Sequence, residues 1–187
     1  MKAWQFKGNK ESYVKLSGKS LDLGSQSFTW AAFIYQDALR DAALMEYRGK
    51  AVGTHIWIYQ KKLYINLVAA GRNFNGFHVT PVAKKWHFVG ASLNAKTGEL
   101  LMWVDENVMT KNVGAVGKRK MSGDLYIGVR LGENRGFNGK MAGATLMNCG
   151  VKPEQVSALK KDVIQRASEY KNLLILYILQ YSDIGDR

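Results

Sequence analysis

Residues 85–105, KWHFVGASLNAKTGELLMWVD, constrain this chain of 187 residues more than any other stretch. Over 86–93 the side chains alternate with period two: Trp86, Phe88, Gly90 and Ser92 face one way, His87, Val89, Ala91 and Leu93 the other. A second apolar run covers 100–105, with Ala95, Lys96, Thr97 and Gly98 between the two. Two such runs around a short glycine-containing loop predict a β-hairpin. Large apolar groups occupy both of its faces: Trp86 and Phe88 against Val89 and Leu93, Leu101 and Trp103 against Met102 and Val104. A hairpin covered on both sides belongs at the centre of a two-sheet antiparallel sandwich, not at its edge.

The rest of the chain reads as strands that complete those sheets. Trp4 and Phe6, a turn over 7–10, and residues 12–16 predict a first hairpin. Residues 28–35, FTWAAFIY, form a nearly continuous apolar strand suited to a central place. Residues 42–47 return into a sheet, and 55–59 and 63–68 pair across Gln60, Lys61 and Lys62. A glycine- and asparagine-rich loop over 69–76 leads to Phe77, His78 and Val79. Residues 107–123 read as a long excursion, and 125–129 and 137–147 close the sheets around a loop at 130–136. Nineteen glycines against two prolines suit a turn-rich β protein. Five tryptophans, nine tyrosines and seven phenylalanines are expected in core and inter-sheet packing rather than in a binding stripe.

Three motifs occur in a telling order. The first is Trp86-His87, Val89, Ser92, then Thr97-Gly98, Leu100 and Trp103-Val104-Asp105. The second is Ser20-Leu21-Asp22-Leu23-Gly24 followed by the strand at 28–35; the third is Tyr126-Ile127-Gly128 followed by Phe137-Asn138-Gly139-Lys140-Met141. Over residues 3–160 this pattern resembles the laminin-G-like, concanavalin-A-like lectin jelly-roll domains, the superfamily that includes pentraxins. The resemblance implies an all-β jelly-roll sandwich over 1–160, with 161–187 left as a C-terminal extension. From Pro153, apolar residues recur at Val156, Leu159, Val163, Ala167, Tyr170, Leu173 and Tyr177, a helical stripe. Residues 173–179, LLILYIL, are apolar on every face but far short of the roughly 20 residues that span a bilayer. The extension is expected to dock either on the sandwich or on a partner, with Leu173, Leu174, Tyr177 and Ile178 as the contacts.

The formal net charge of +12 comes from 27 basic and 15 acidic residues. Such a surface attracts polyanions: sulfated glycan, acidic protein or matrix, nucleic acid, anionic membrane. No zinc-finger spacing, RNA-binding signature or P-loop accompanies it, so nucleic acid stays open without a motif. The single Cys149 excludes an intramolecular disulfide and reads as a buried thiol, with an intermolecular bridge as the alternative. The resemblance implies an extracellular home, whereas no leader, disulfide or glycosylation sequon supports it. A removed leader would reconcile the two; an intracellular or virion-associated role is the alternative.

The chemistry-bearing residues are sparse. His55, His78 and His87 each sit in or beside a strand without metal-ligand spacing, and read as structural histidines. Retaining glycosidases need two carboxyl groups about 5–5.5 Å apart. No glutamate here is paired with a carboxylate at strand spacing, and Asp105 and Glu106 are adjacent, so no enzyme is expected. In the family, acidic calcium ligands often follow the F-x-G-x-I stretch; here Met141 is followed by Ala142, Gly143 and Ala144. No cofactor is therefore expected, and calcium is left only Asp22, Asp105 or Asp124. Two functions remain. One is a non-catalytic module of lectin type binding a polyanionic or glycan ligand through the basic loop residues Lys118, Arg119, Lys120, Arg130 and Arg135. The other is an assembly protein of a filament, particle or mineral-associated matrix, held by its charge and its apolar tail.

Overall fold

The computed structural model of the chain describes residues 3–17, 27–48, 53–69, 72–75, 81–115, 123–130, 135–169 and 178–179. In chain order the strands are β1 (Trp4–Lys7), β2 (Val14–Leu16), β3 (Phe28–Tyr35), β4 (Ala42–Arg48), β5 (Gly53–Tyr59), β6 (Lys62–Ala69) and β7 (Arg72–Asn75). They continue with β8 (Trp86–Asn94), β9 (Glu99–Val104), β10 (Asn107–Asn112), β11 (Asp124–Ile127) and β12 (Asn138–Met147). A 3₁₀ turn (Pro153–Gln155) leads into helix α1 (Val156–Glu169), and β13 (Ile178–Leu179) follows. The first sheet has the order β1-β12-β3-β8-β9-β10, with β13 on β12; the second is β2-β11-β4-β5-β6-β7. The protein is the expected two-sheet antiparallel sandwich with a C-terminal helix.

The hairpin β8–β9 lies inside the first sheet, flanked by β3 and β10. Its inward side chains, Val89, Ala91, Leu93, Leu100, Met102 and Val104, pack with Leu44, Ile56 and Ile65 of the second sheet in the main core. Its other apolar face has a different cover. Phe88, Leu101 and Trp103 form a second cluster with Ala31, Phe33, Ala142 and Met147, beneath Val156, Leu159 and Val163 of α1. The helix therefore buries what the sandwich itself leaves open, and each of its buried aliphatic side chains contributes about 1.5–3 kcal/mol. Gly90 pairs directly with Trp103 across the hairpin, and a Cβ there would collide with the indole ring.

The entry to α1 is fixed by a polar staple. Thr29 Oγ1 and Ser92 Oγ are hydrogen-bonded at 2.9 Å, Thr29 donates to the Cys149 carbonyl at 2.7 Å, and Val151 N–H donates to Ser92 at 2.8 Å. Cys149 packs against the cluster under the helix, and burial pushes its thiol pKa up. Lys152 N–H then donates to Gln155 Oε1 (2.8 Å), closing the first turn.

Three expectations are corrected. The first hairpin does not form: β1 pairs with β12 in one sheet and β2 with β11 in the other. Both partners offer an edge, so each short strand gains its pairing far along the chain rather than from its neighbour. The excursion after the central hairpin begins as a strand, since β10 pairs with β9 across the two-residue turn Asp105-Glu106. The loop after β6 likewise contains β7. Both are end strands of their sheets, and β10 is mostly exposed, so the apolar alternation that marks a strand is weak there. In the extension, β13 pairs in parallel with Leu146 and Met147, which places the Ile178 backbone on its own sheet. Leu173, Leu174 and Tyr177 lie outside the described residues.

Candidate ligand-binding site on the second sheet

In β5 and β6 the residues Ile56, Ile58, Leu63 and Ile65 are fully buried in the core. Period two then sends His55, Trp57, Tyr59, Tyr64 and Asn66 to the outer face of the second sheet. The register sets Trp57 opposite Tyr64 and His55 opposite Asn66. Trp57 and Tyr59 stack at 4.8 Å between ring centroids and 17° between planes. Tyr64 meets them edge-on, 6.3 Å from Trp57 and 5.8 Å from Tyr59. The turn that joins the strands holds Gln60 and Lys61 at φ 49° and 63°. Gln60 N–H is anchored on Asp41 Oδ1 at 2.8 Å.

The connection from β11 to β12 brings two arginines onto this platform. Its ends are pinned by backbone bonds: Gly128 N–H to Leu44 O (3.0 Å), Phe137 N–H to Gly128 O (2.8 Å) and Ala43 N–H to Arg135 O (3.2 Å). Gly128 has φ 84°, and a Cβ there would strike the Phe6 ring, so this position admits glycine alone. Ala43 stands opposite Trp57 and offers no bulk above the sheet. Arg130 Cζ lies 5.2 Å from the Trp57 ring centroid, and Arg135 Cζ lies 5.3 Å from Trp57 and 5.6 Å from Tyr59. Two guanidinium groups thus share one aromatic stack, each contact worth about 0.5–2 kcal/mol.

The same face continues towards β2 in one cross-strand row. Lys15, Tyr126, Glu46, His55, Asn66 and Asn75 stand in register. Glu46 is fully buried, with His55 Nδ1 3.7 Å from its carboxylate. Lys15 pairs with Asp124 at 2.8 Å, and that hydrogen bond raises its ammonium pKa. Tyr47, which points inward, has its phenol pKa raised by burial first and by Asp124 second.

Of the residues predicted as ligand contacts, Arg130 and Arg135 converge over Trp57, while Lys118, Arg119 and Lys120 lie outside the described residues. His87 is the structural histidine expected: it is buried, with Nδ1 2.7 Å from Asp105 Oδ2 and Nε2 2.9 Å from the Val82 backbone. Burial alone would raise the Asp105 carboxyl. Hydrogen bonds from Phe88 N–H and His87 outweigh it and hold the pKa below its ordinary value. Asp105 and Asp124 are thus both engaged, and Asp22 and His78 lie outside the described residues. Among the described residues no three histidines, cysteines or carboxylates gather as a metal site. The aromatic platform is what sequence reasoning missed. Its signal was present in HIWIY and LYIN, where only one face is aliphatic and the other carries rings and polar groups.

A family profile described as the concanavalin A-like lectin/glucanases superfamily, of laminin G type, matches residues 7–157. The chain belongs to that superfamily. No curated protein sequence matches it. A heptameric SAP-like pentraxin from Limulus polyphemus superposes with a TM-score of 0.57 at 13% identity, covering 72% of this chain and 70% of the pentraxin. Domains LG4-5 of the mouse laminin α1 chain give 0.62 at 14% identity, over 78% of this chain and 40% of theirs. The binding domain of botulinum neurotoxin serotype G gives 0.66 at 9% identity, over 89% of this chain and 43% of that one. The chain thus spans about two fifths of the laminin and neurotoxin chains. At these identities the likeness is one of fold.

Proposed function

We propose that the protein is a non-catalytic binding module whose ligand is an anionic glycan, held on the outer face of the second sheet. The observation that carries this reading is the convergence of Arg130 and Arg135 over the stacked rings of Trp57 and Tyr59. A pyranose ring presents apolar C–H faces that suit a flat aromatic surface, and its sulfate or carboxylate suits a guanidinium fork. Arginines already stacked on Trp57 are oriented before a ligand arrives, which lowers the ordering cost of binding. Lys118, Arg119 and Lys120 are further candidate contacts on charge alone. The superfamily holds lectins as well as glucanases, and the solved relatives include a domain described as a binding domain. Function in an extracellular setting accords with such a ligand.

The test is a binding titration with a sulfated oligosaccharide and its desulfated counterpart, at rising salt, with calcium and then with chelator. The expected result is saturable binding of the sulfated form that weakens with salt and ignores the chelator. Equal binding of both forms, or loss with chelator, contradicts the reading.

A further inference from the structure

A second exposed cluster lies on the outer face of the first sheet, beyond the reach of α1. The register there runs Gln5, Lys140, Tyr35, Trp86. Tyr35 and Trp86 are in ring contact at 5.7 Å, and Lys140 Nζ lies 5.5 Å from the Tyr35 ring. Trp86 is 40% exposed and Val82, in the preceding loop, is 61% exposed. Between them stand Lys84 and Lys85, both exposed. The loop is held rigidly: Val82 N–H donates to His87 Nε2 (2.9 Å), and Lys84 N–H to the Gln36 carbonyl (2.7 Å). Here the buried His87–Asp105 pair acquires a use, since it fixes the loop that presents Val82 and the lysines.

We infer that this edge is a docking surface for an anionic lipid bilayer. Three lysines outnumber the carboxylates there: Asp37 in the segments that build the edge (35–37, 81–86 and 138–140), and Asp105 beneath the loop, which is bonded to His87. Three of the side chains that could read a specific sugar are already engaged. Gln5 Nε2 donates to the Phe6 and Gly139 carbonyls, Gln36 Nε2 to the Asn138 carbonyl, and Asp105 accepts from Phe88 and contacts His87. The largest features that remain are apolar area, the Tyr35 and Trp86 rings, and positive charge on flexible stems. That combination suits a bilayer interface, where Trp and Val enter among the headgroups and lysines meet lipid phosphates and carboxylates. The surface is separate from the Arg130–Arg135 site, on the opposite sheet, so either proposal can fail without the other.

The experiment measures binding of the full chain to phosphatidylcholine vesicles with and without phosphatidylserine, and quenching of tryptophan emission by brominated acyl chains. Binding is expected only with phosphatidylserine, with quenching that disappears in Trp86→Phe. The variant Lys84→Asn/Lys85→Gln keeps a residue tolerant of the φ of 60° at position 84. It is expected to lower partitioning roughly thirtyfold, at about a factor of five per lysine. Val82→Glu is expected to abolish quenching, whereas Arg130→Ala/Arg135→Ala leaves vesicle binding intact. The inference is overturned by no difference between the vesicles, by quenching that survives Trp86→Phe and Val82→Glu, or by vesicle binding that disappears with the arginines alone. Soluble sulfated polysaccharide binding that depends on Trp86 and Val82 would assign the edge to a glycan instead, and would equally overturn it.

Discussion

The two outer faces of this sandwich have met opposite fates. On the first sheet, Phe88, Leu101 and Trp103 are sealed beneath Val156, Leu159 and Val163 of α1. On the second, Trp57, Tyr59 and Tyr64 are also aromatic-rich, yet no described helix covers them, and Arg130 and Arg135 lie on top instead. Large rings on a sheet face do not say by themselves whether they support the fold or meet a ligand. The cover decides. Aliphatic side chains from a helix exclude water and convert the rings into core, whereas guanidinium groups keep the rings wettable and bring positive charge to the surface.

This contrast can be broken most forcefully at Trp103. Trp103→Ala removes a fully buried indole and is expected to cost about 3–5 kcal/mol in urea unfolding. Leu159→Ala, from the covering helix, is expected to cost about 2–4 kcal/mol. On the open face the balance shifts: Trp57→Ala forfeits ring and guanidinium contacts but no core packing, and should cost about 1–3 kcal/mol while weakening the anionic glycan at least about tenfold. If Trp57→Ala destabilises as much as Trp103→Ala, the two faces are not different in kind.

A finer test uses pH. Asp105 is held below its ordinary carboxyl value by Phe88 N–H and His87. Its stabilisation is therefore complete above about pH 4, the unfolded value, and is lost as pH falls through the lowered folded value. Asp105→Asn should reduce stability at neutral pH and flatten the profile in that acid window. The mildest effect concerns Cys149, whose raised thiol pKa predicts slow alkylation of the native protein and fast alkylation in urea.

The sequence made the interior of the fold legible where one strand could be judged by itself. The residues of β3, β8 and β9 carry long apolar runs, and a central strand is apolar whichever partner it finds. Short strands were misplaced because their pairing is a property of the whole sandwich: nothing in Trp4–Lys7 states that its partner is Asn138–Met141. Charge singled out the loop that carries Arg130 and Arg135, but not where they rest. That depends on Gly128, Ala43 and the backbone bonds that fold the loop back over β5. Trp57 and Tyr59 were assigned to packing because tryptophan and tyrosine are usually at least partly buried. The aliphatic Ile56, Ile58, Leu63 and Ile65 opposite them were the cue that one face already sufficed for the core.

The measurement that bears most directly on this account is a calorimetric titration of one sulfated oligosaccharide into the parent protein and into Arg130→Ala/Arg135→Ala, with thermal unfolding of both recorded alongside. The expected result is a cooperative melt in both proteins, somewhat lower in the variant for its lost ring contacts, and a loss of at least about tenfold in affinity, since hydrogen bonds to charged groups are worth about 1.5–3 kcal/mol each. Equal affinity in the two proteins would contradict it, and would move the binding face away from the second sheet.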